Sequence, residues 1–185
     1  MMQPFCADCG GPYGVNCCDG SIPCYAAAQH AGIARDFILA LKYKNMRPIG
    51  EAIGMEMAQR LPRPDADMLI PMPLHKDSPR PFNQTELITE GLSSVWSIPV
   101  ESTLLKWRFG SVKQTNKKGR ERMMLSFDSF EARHDLHGHR VALIDDVYTT
   151  GSTVRAAKFA LQRAGADIVA IYVWTRRLRY PVPEA

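Results

Sequence analysis

The sequence predicts an α/β fold in which a mostly parallel sheet is flanked by helices. Short apolar runs typical of buried strands occur at residues 68–72, 100–105, 141–144 and 168–174. Segments with apolar residues at helical spacing lie before and between these runs, around residues 33–41, 49–57, 87–92 and 152–164. Because strands and helices alternate along the chain, we expect parallel strands joined by crossover helices.

The composition fits one domain with a hydrophobic core and a small appendage. The chain has 185 residues, of which 45% are hydrophobic and 23% are charged. The formal net charge of +4 favours phosphate-bearing partners but does not by itself indicate nucleic-acid binding. No apolar stretch approaches the roughly 20 residues of a membrane span, and the N-terminus shows no secretory signal. We therefore expect a cytoplasmic protein.

All five cysteines lie within the first 24 residues. The spacing Cys6-x-x-Cys9 is typical of one half of a zinc site, and we expect Cys18 and Cys24 to complete it. Cys17 is left out of this set because adjacent cysteines rarely both reach one tetrahedral ion. The second half of the spacing is irregular, so a cluster of free thiols without metal is the alternative.

The cysteine distribution also predicts how the chain is organised. Residues 1–24 form a cysteine-rich, zinc-knuckle-like segment, which is too small to bury a core alone. Residues 25–180 form the α/β domain that the strand and helix patterns describe.

The stretch from Val141 to Thr153 carries the strongest functional signal. Two acids, Asp145 and Asp146, sit where the buried strand at 141–144 ends, and a loop then opens a helix. Ligands of open α/β sheets bind at the carboxyl ends of strands, and a helix N-terminus attracts phosphate. The loop offers hydroxyl groups, backbone N–H groups and a glycine from Thr149, Thr150, Gly151, Ser152 and Thr153.

This stretch resembles the phosphoribosyl-pyrophosphate (PRPP) motif of type I phosphoribosyltransferases. The resemblance implies that Asp145 and Asp146 are the catalytic acids: they hold the ribose hydroxyls, and one of them accepts a proton. It implies that the loop from Thr149 to Thr153 wraps the 5′-phosphate. It also implies a type I phosphoribosyltransferase-like fold and a Mg²⁺ ion that binds with PRPP.

A long polar loop after the strand at 68–72 supplies two candidate cations for the same ligand. Lys76 and Arg80 lie just past this strand. The pyrophosphate that leaves PRPP carries negative charge, which cations and Mg²⁺ must neutralise. We therefore assign Lys76 and Arg80 to the pyrophosphate side of the site.

Further features resemble the ComF family, whose members are phosphoribosyltransferase-like proteins linked to competence, the uptake of DNA. The features are the N-terminal cysteines, Leu41-Lys42-Tyr43, the segment Ile70 to Gln84 with Arg80-Pro-Phe-Asn-Gln84, and Lys113-Gln-Thr115 ahead of Arg120 and Arg122. The resemblance spans the chain from Cys6 to about Leu178. It implies a PRPP-binding protein of DNA uptake, with turnover and the acceptor left open.

A non-catalytic accessory role is the alternative. Residues 106–122 are strongly basic, and Trp107 and Phe109 lie among the basic side chains. Such a segment can hold single-stranded DNA by charge and stacking, and DNA-processing proteins are the other partners expected for this role. Two further interpretations stay open, a loop that closes over the site and, for Trp107, packing into the core.

Overall fold

The computed structural model of the chain describes residues 3–14, 16–75, 77–108 and 127–177. The strands are β1 (Phe5–Cys6), β2 (Pro23–Gln29), β3 (Met68–Pro71), β4 (Leu105–Trp107), β5 (Phe130–Ala132), β6 (Arg140–Tyr148) and β7 (Asp167–Arg176). The α-helices are α1 (Gly32–Tyr43), α2 (Pro48–Arg60), α3 (Gln84–Trp96) and α4 (Ser152–Arg163).

The described strands form a five-stranded sheet of order β1-β2-β7-β6-β3 and a separate antiparallel pair, β4 and β5. Strands β2, β7, β6 and β3 run parallel to one another, and β1 adds to the β2 edge in the antiparallel direction. The predicted α/β fold with a mostly parallel sheet is therefore confirmed.

Each face of the sheet has its own hydrophobic core, because successive side chains of a strand point to opposite faces. On β6, Ile144 packs with the buried residues of α1, α2 and α3, such as Leu41 and Ile88. The preceding Leu143 packs instead with the buried residues of α4, such as Ala157. Helices therefore cover both faces of β6, which explains why its sequence is continuously apolar.

Helices α2 and α3 approach each other closely at a glycine. A Cβ atom placed on Gly91 would lie 2.2 Å from the carbonyl oxygen of Glu51, which is far closer than two such atoms can come. Gly91 therefore lets the two helix backbones touch, and α3 also packs against β3 and β6 of the sheet.

Two predicted strands differ in their bounds, and the structure contains one strand that the sequence analysis does not predict. Strand β6 continues to Tyr148, so Asp145 and Asp146 lie inside the strand and not after its end. The strand expected at residues 100–105 is reduced to a single bridge between Val100 and Leu69, and β4 begins only at Leu105. Strand β2 was not predicted, because its alanine-rich sequence lacks the β-branched residues that mark strands.

The cysteine-rich segment packs against the same core as helix α4. Phe5, Ala7, Ile22 and Cys24 are buried there with residues of β6, β7 and α4. Among the described helices, none has the length and apolar character that a bilayer-crossing helix needs.

Candidate functional site

Two neighbouring carboxylates lie near the carboxyl end of the interior strand β6. Asp145 and Asp146 are 8% and 5% exposed, so both are buried. The alternation of Leu143 and Ile144 between the two cores continues along the strand, so the two acids point to opposite faces of the sheet. Each carboxylate therefore meets a different set of neighbours.

Asp146 is held by two side chains from the helices on its face. The Lys42 ammonium at the end of α1 lies 2.7 Å from Asp146 Oδ2, and the Gln84 Nε2 group at the start of α3 donates to the same oxygen at 3.0 Å. Sequence reasoning missed both as site residues. The segments that contain them, Leu41-Lys42-Tyr43 and Phe82-Asn83-Gln84, were noted only as marks of family resemblance, and that is the signal that could have identified them.

Hydrogen bonds of the Asn83 side chain fix the start of α3, where Gln84 lies beside Asp146. The Asn83 side chain caps α3 by accepting a hydrogen bond from the Thr85 N–H at 3.0 Å. Its Nδ2 group also donates to the carbonyl of Met72, just past the end of β3, at 3.0 Å. Gln84 is 6% exposed, and its buried Oε1 has no hydrogen-bond partner among the described residues. This oxygen is an acceptor left open beside the acid pair.

Asp145 has a strongly perturbed acidity. Its Oδ1 accepts a hydrogen bond from the Asp146 N–H at 2.8 Å. Burial and the neighbouring Asp146 charge raise the pKa of Asp145 from 3.8 to about 7, against the opposing effects of that N–H and of Lys42. Asp145 can therefore take up or release a proton near neutral pH.

The phosphate loop, residues 149–153, joins β6 to α4. Gly151 is the N-cap of α4 with φ of 74°, and it provides no side-chain acceptor for the first N–H groups of the helix. The hydroxyls of Thr150 and Ser152 lie 2.7 Å apart. A Cβ atom on Gly151 would lie 2.4 Å from the Tyr148 hydroxyl, so only glycine fits here. The loop thus presents hydroxyls and a helix N-terminus, which are groups that bind phosphate.

A cavity of about 460 Å³ opens beside Lys42, between the end of α1 and the loop after β3. Tyr43, His75, Arg80 and Phe82 are among the residues that line it. Arg80 donates from Nε to the Ser78 hydroxyl at 3.0 Å, and its buried Nη1 has no partner among the described residues. Lys76, the other predicted cation, lies outside the described residues.

The cysteine knuckle, residues 5–18 apart from Val15, gathers four sulfur atoms. The Sγ atoms of this group lie within 4.8 Å of one another and belong to Cys6, Cys9, Cys17 and Cys18. The structure thus brings together three of the four predicted ligands and adds Cys17, although adjacent cysteines rarely both reach one ion. Cys24 is not in the group, because it lies on β2 with its side chain in the core.

The thiols of the N-terminal segment differ in acidity. Burial opposes ionisation of Cys6, but hydrogen bonds from the Cys9 N–H, Cys17 and the Asp8 N–H outweigh it and lower the pKa of Cys6 to about 7. Interaction with Cys9, together with burial, raises the pKa of Cys18 to about 11. Burial, followed by the Asp145 charge, raises the pKa of Cys24 well above its usual value. Four clustered sulfurs are the donor set that Zn²⁺ prefers in structural sites.

Trp107 is engaged in packing. Its Nε1 group donates to the Pro73 carbonyl at 3.0 Å, and its ring centroid lies 4.2 Å from that of Phe130. The core-packing interpretation of Trp107 therefore fits the structure. Phe109 and the basic residues between Lys113 and Arg122 lie outside the described residues.

The sequence comparisons identify the class of protein. A family model described as the phosphoribosyl transferase domain matches residues 88–184, more than half of the chain. The chain therefore belongs to the phosphoribosyltransferase-domain family.

The curated relatives that the chain resembles have names that refer to competence or to DNA utilization. The competence protein ComFC of Bacillus subtilis is 33% identical over 112 residues, which cover 59% of this chain and 44% of that protein. Competence protein F of Haemophilus influenzae is 31% identical over 113 residues, covering 58% and 48%. The DNA utilization protein YhgH of Salmonella typhi is 29% identical over 125 residues, covering 66% and 55%. The chain spans about half the length of these relatives.

Solved phosphoribosyltransferase structures are also similar. An adenine phosphoribosyltransferase from Thermoanaerobacter pseudethanolicus has 18% identity and a TM-score of 0.48, covering 72% of this chain and 71% of that one. A purine phosphoribosyltransferase from Pyrococcus horikoshii has 17% identity and a TM-score of 0.44, covering 74% and 93%. At these values we draw no functional conclusion from the two structures.

Replacement of Lys42 by Met is expected to destabilise the fold by about 2–4 kcal/mol, because it leaves the buried Asp146 carboxylate without its cation. Urea unfolding of the two proteins measures the difference. Lys44→Met is the matched control: Lys44 is exposed at the end of the same helix, so its replacement should change the free energy of unfolding by less than about 0.5 kcal/mol. A double variant Lys42→Met/Asp146→Asn should recover part of the loss. Equal effects of Lys42→Met and Lys44→Met would contradict the assigned pair.

Asp145 should make the protein less stable as the pH rises. Its folded-state pKa of about 7 lies above the ordinary value of 3.8, so the folded protein binds the proton more tightly than the unfolded chain. The free energy of unfolding is therefore expected to fall as the pH rises from about 4 to about 7. In Asp145→Asn, which has no titrating group at this position, the free energy of unfolding should fall less steeply with pH. Chemical unfolding across this pH range tests the expectation, and an unchanged slope in the variant would refute it.

Proposed function

We propose that this protein binds PRPP together with Mg²⁺ at the carboxyl end of β6. The observation that carries the proposal is the convergence of Lys42 and Gln84 on Asp146, beside Asp145 and directly before the phosphate loop. Buried acids at the end of a parallel strand, followed by a helix N-terminus, are the arrangement expected for a sugar phosphate.

The phosphate loop receives the 5′-phosphate in this proposal. The first N–H groups of α4 have no side-chain cap from Gly151, so a phosphate oxygen can accept their hydrogen bonds. The hydroxyls of Thr150 and Ser152 are close enough to serve one anion together. The positive end of the helix dipole adds to the attraction.

The two acids receive the ribose hydroxyls. Lys42 and Gln84 fix the position of the Asp146 carboxylate, so it acts as an acceptor of defined position. Asp145, with its raised pKa, can take a proton from the ligand or lose one to the solvent when the ligand's cation arrives. The open Oε1 of Gln84 can accept one further hydrogen bond from a hydroxyl or a water.

The carboxylate oxygens at the end of β6 also suit Mg²⁺. Mg²⁺ prefers oxygen ligands and keeps several waters, so it would be shared between PRPP and the carboxylates of Asp145 and Asp146. The open Oε1 oxygen of Gln84 beside this pair fits a metal-bound water. When bound, Mg²⁺ supplies charge neutralisation for the pyrophosphate. From the chain itself, Arg80 at the 460 Å³ cavity supplies positive charge on the pyrophosphate side.

Phosphoribosyl transfer follows from this binding if an acceptor enters. The bond between C1 of the ribose and the pyrophosphate oxygen breaks, the electron pair leaves with pyrophosphate, and C1 bonds to the acceptor nucleophile. The proton that the nucleophile loses can pass to Asp145, whose pKa is near neutral. Loops that vary between enzymes choose the acceptor, so the fold does not name it.

Calorimetric titration with PRPP tests the proposal. We expect the wild-type protein to bind PRPP when Mg²⁺ is present, and Asp145→Asn/Asp146→Asn to bind about 100-fold more weakly or not at all, because two charge-assisted hydrogen bonds are lost. The control is Asp167→Asn, an exposed acid at the opposite end of β7. Failure of the folded wild-type protein to bind PRPP, or equal binding by the double variant, would reject the proposal.

A second candidate function, binding of single-stranded DNA, has one structural observation in its favour. Phe127 and Phe159 are 58% and 39% exposed, with ring centroids 5.7 Å apart. Arg108, Arg133 and Arg163 line a cavity of about 290 Å³ next to them. Acids are interspersed with these arginines, and Asp128 pairs with both Arg108 and Arg163, so the patch is only weakly cationic.

Fluorescence anisotropy with a labelled oligothymidine across a salt series measures this function. A stacking site predicts about tenfold weaker binding for Phe127→Ala, and a linear loss of log affinity with log salt concentration. Tyr43→Ala, which removes an exposed aromatic ring elsewhere, is the control. No binding at low salt, or equal effects of the two variants, would exclude a DNA site on this surface.

A further inference from the structure

The cysteine knuckle lies directly behind the phosphate loop, and helix α4 connects the two. Arg155, in the first turns of α4, donates from Nη1 to the Thr150 carbonyl at 3.0 Å and to the Asp8 carbonyl at 2.9 Å. One nitrogen atom thus joins the phosphate loop to the knuckle. Lys158 then binds both carboxylate oxygens of Asp8 at 2.7 Å, so the helix holds Asp8 by its backbone and by its side chain.

Tyr148 makes a second connection. Its hydroxyl donates to the Ala7 carbonyl at 3.3 Å, and its ring meets the Phe5 ring edge-on with centroids 4.8 Å apart. On its other side the same hydroxyl is the atom that a Cβ on Gly151 would strike. Tyr148 therefore lies between the knuckle and the phosphate loop and contacts both.

Arg176 makes a third connection at the end of β7. Its guanidinium lies 3.9 Å from the centroid of the Phe5 ring and donates to the Gly10 carbonyl. A small cavity of about 180 Å³ separates the two parts here, with Cys9, Gly10, Thr149 and Thr150 on its walls.

Asp8, which α4 holds, also contacts the sulfur cluster. The Asp8 N–H contacts Cys6 Sγ at 3.3 Å, and the Cys9 N–H contacts the same sulfur at 3.4 Å. The peptide N–H of Asp8 therefore points to the cluster while its carbonyl accepts from Arg155. A metal ion on the four sulfurs would fix the Cys6–Cys9 turn and, with it, the direction of the Asp8 carbonyl.

We propose that a thiophilic divalent metal ion on Cys6, Cys9, Cys17 and Cys18 fixes the conformation of the phosphate loop, and so raises its affinity for phosphate. Asp8 and Arg155 are the positioning residues. The identity of the phosphate as that of PRPP rests on the proposed function; the ordering of the loop does not. Because linkage is reciprocal, bound phosphate strengthens metal binding by the same factor that metal strengthens phosphate binding.

The first measurement is amide hydrogen exchange of residues 148–156 in the full chain, loaded with Zn²⁺ or stripped by a chelator. We expect slower exchange in the loaded protein. Arg155→Met should abolish this difference while Co²⁺ in place of Zn²⁺ still shows thiolate charge-transfer bands, and Arg155→Lys should restore part of it. Arg163→Met, at the far end of the same helix, is the control and should keep the full difference.

The second measurement is titration of the same proteins with PRPP and Mg²⁺. The loaded wild-type protein is expected to bind about tenfold more tightly than the stripped one, and Arg155→Met should bind equally in both states. If loaded protein binds no PRPP but the exchange difference persists, the proposed function fails and the inference stands.

Three results would overturn the inference. They are the absence of thiolate bands with Co²⁺, equal exchange of residues 148–156 with and without metal, and a metal effect that survives in Arg155→Met. Should the stripped protein unfold, the loaded proteins alone decide the matter. Arg155→Met must then exchange faster than wild type over residues 148–156 with unchanged Co²⁺ bands, and equal exchange would overturn the inference.

Discussion

The burial of two adjacent carboxylates at the end of β6 is the constraint on which the rest of the site depends. Moving a carboxylate from water into a protein interior costs several kcal/mol unless a partner or a proton offsets it. The alternation of side chains along the strand places the two acids on opposite faces, so one cation cannot neutralise both equally. Lys42 and Gln84 offset the cost of burying the Asp146 carboxylate. For Asp145, uptake of a proton near neutral pH offsets this cost.

This division also explains the arrangement of the helices on one face. Lys42 must come from the end of α1 and Gln84 from the first turn of α3, so both helix ends must lie at the carboxyl edge of the sheet. The Asn83 cap fixes α3 to the end of β3, and the contact at Gly91 fixes α3 to α2. The packing of the helices on this face therefore brings Lys42 and Gln84 to the same oxygen, Asp146 Oδ2.

The fold class and the main elements could be predicted from the sequence because they depend on local patterns. The apolar run at 141–144 and the small-residue loop after it specify a strand, a turn and a helix without reference to the rest of the chain. The partners of Asp146 could not be predicted in this way. Lys42 lies more than half the chain length away, and a lysine at the end of a helix is ordinarily a solvated residue.

The cysteines show the same limit of local reasoning. Spacing alone favours Cys24 over Cys17, because adjacent cysteines rarely both reach one tetrahedral ion. In the structure, Cys17 and Cys18 lie in tight turns, with the Cys17 N–H bonded to the Gly14 carbonyl and the Ser21 N–H bonded to that of Cys18. A turn lets neighbouring side chains converge, whereas strand β2 directs Cys24 into the core.

The charges on the α4 face complete the argument for an anionic ligand. Arg155 and Arg176 donate to carbonyl oxygens of the knuckle and the loop, and within the described part of the chain neither forms an ion pair with a carboxylate. Their full positive charges therefore remain at the phosphate loop, in contrast to Lys42, which Asp146 neutralises. Carbonyl groups of the knuckle help to orient these arginines. The conformation of the knuckle therefore affects the electrostatic potential that acts on a phosphate at the N-terminus of α4.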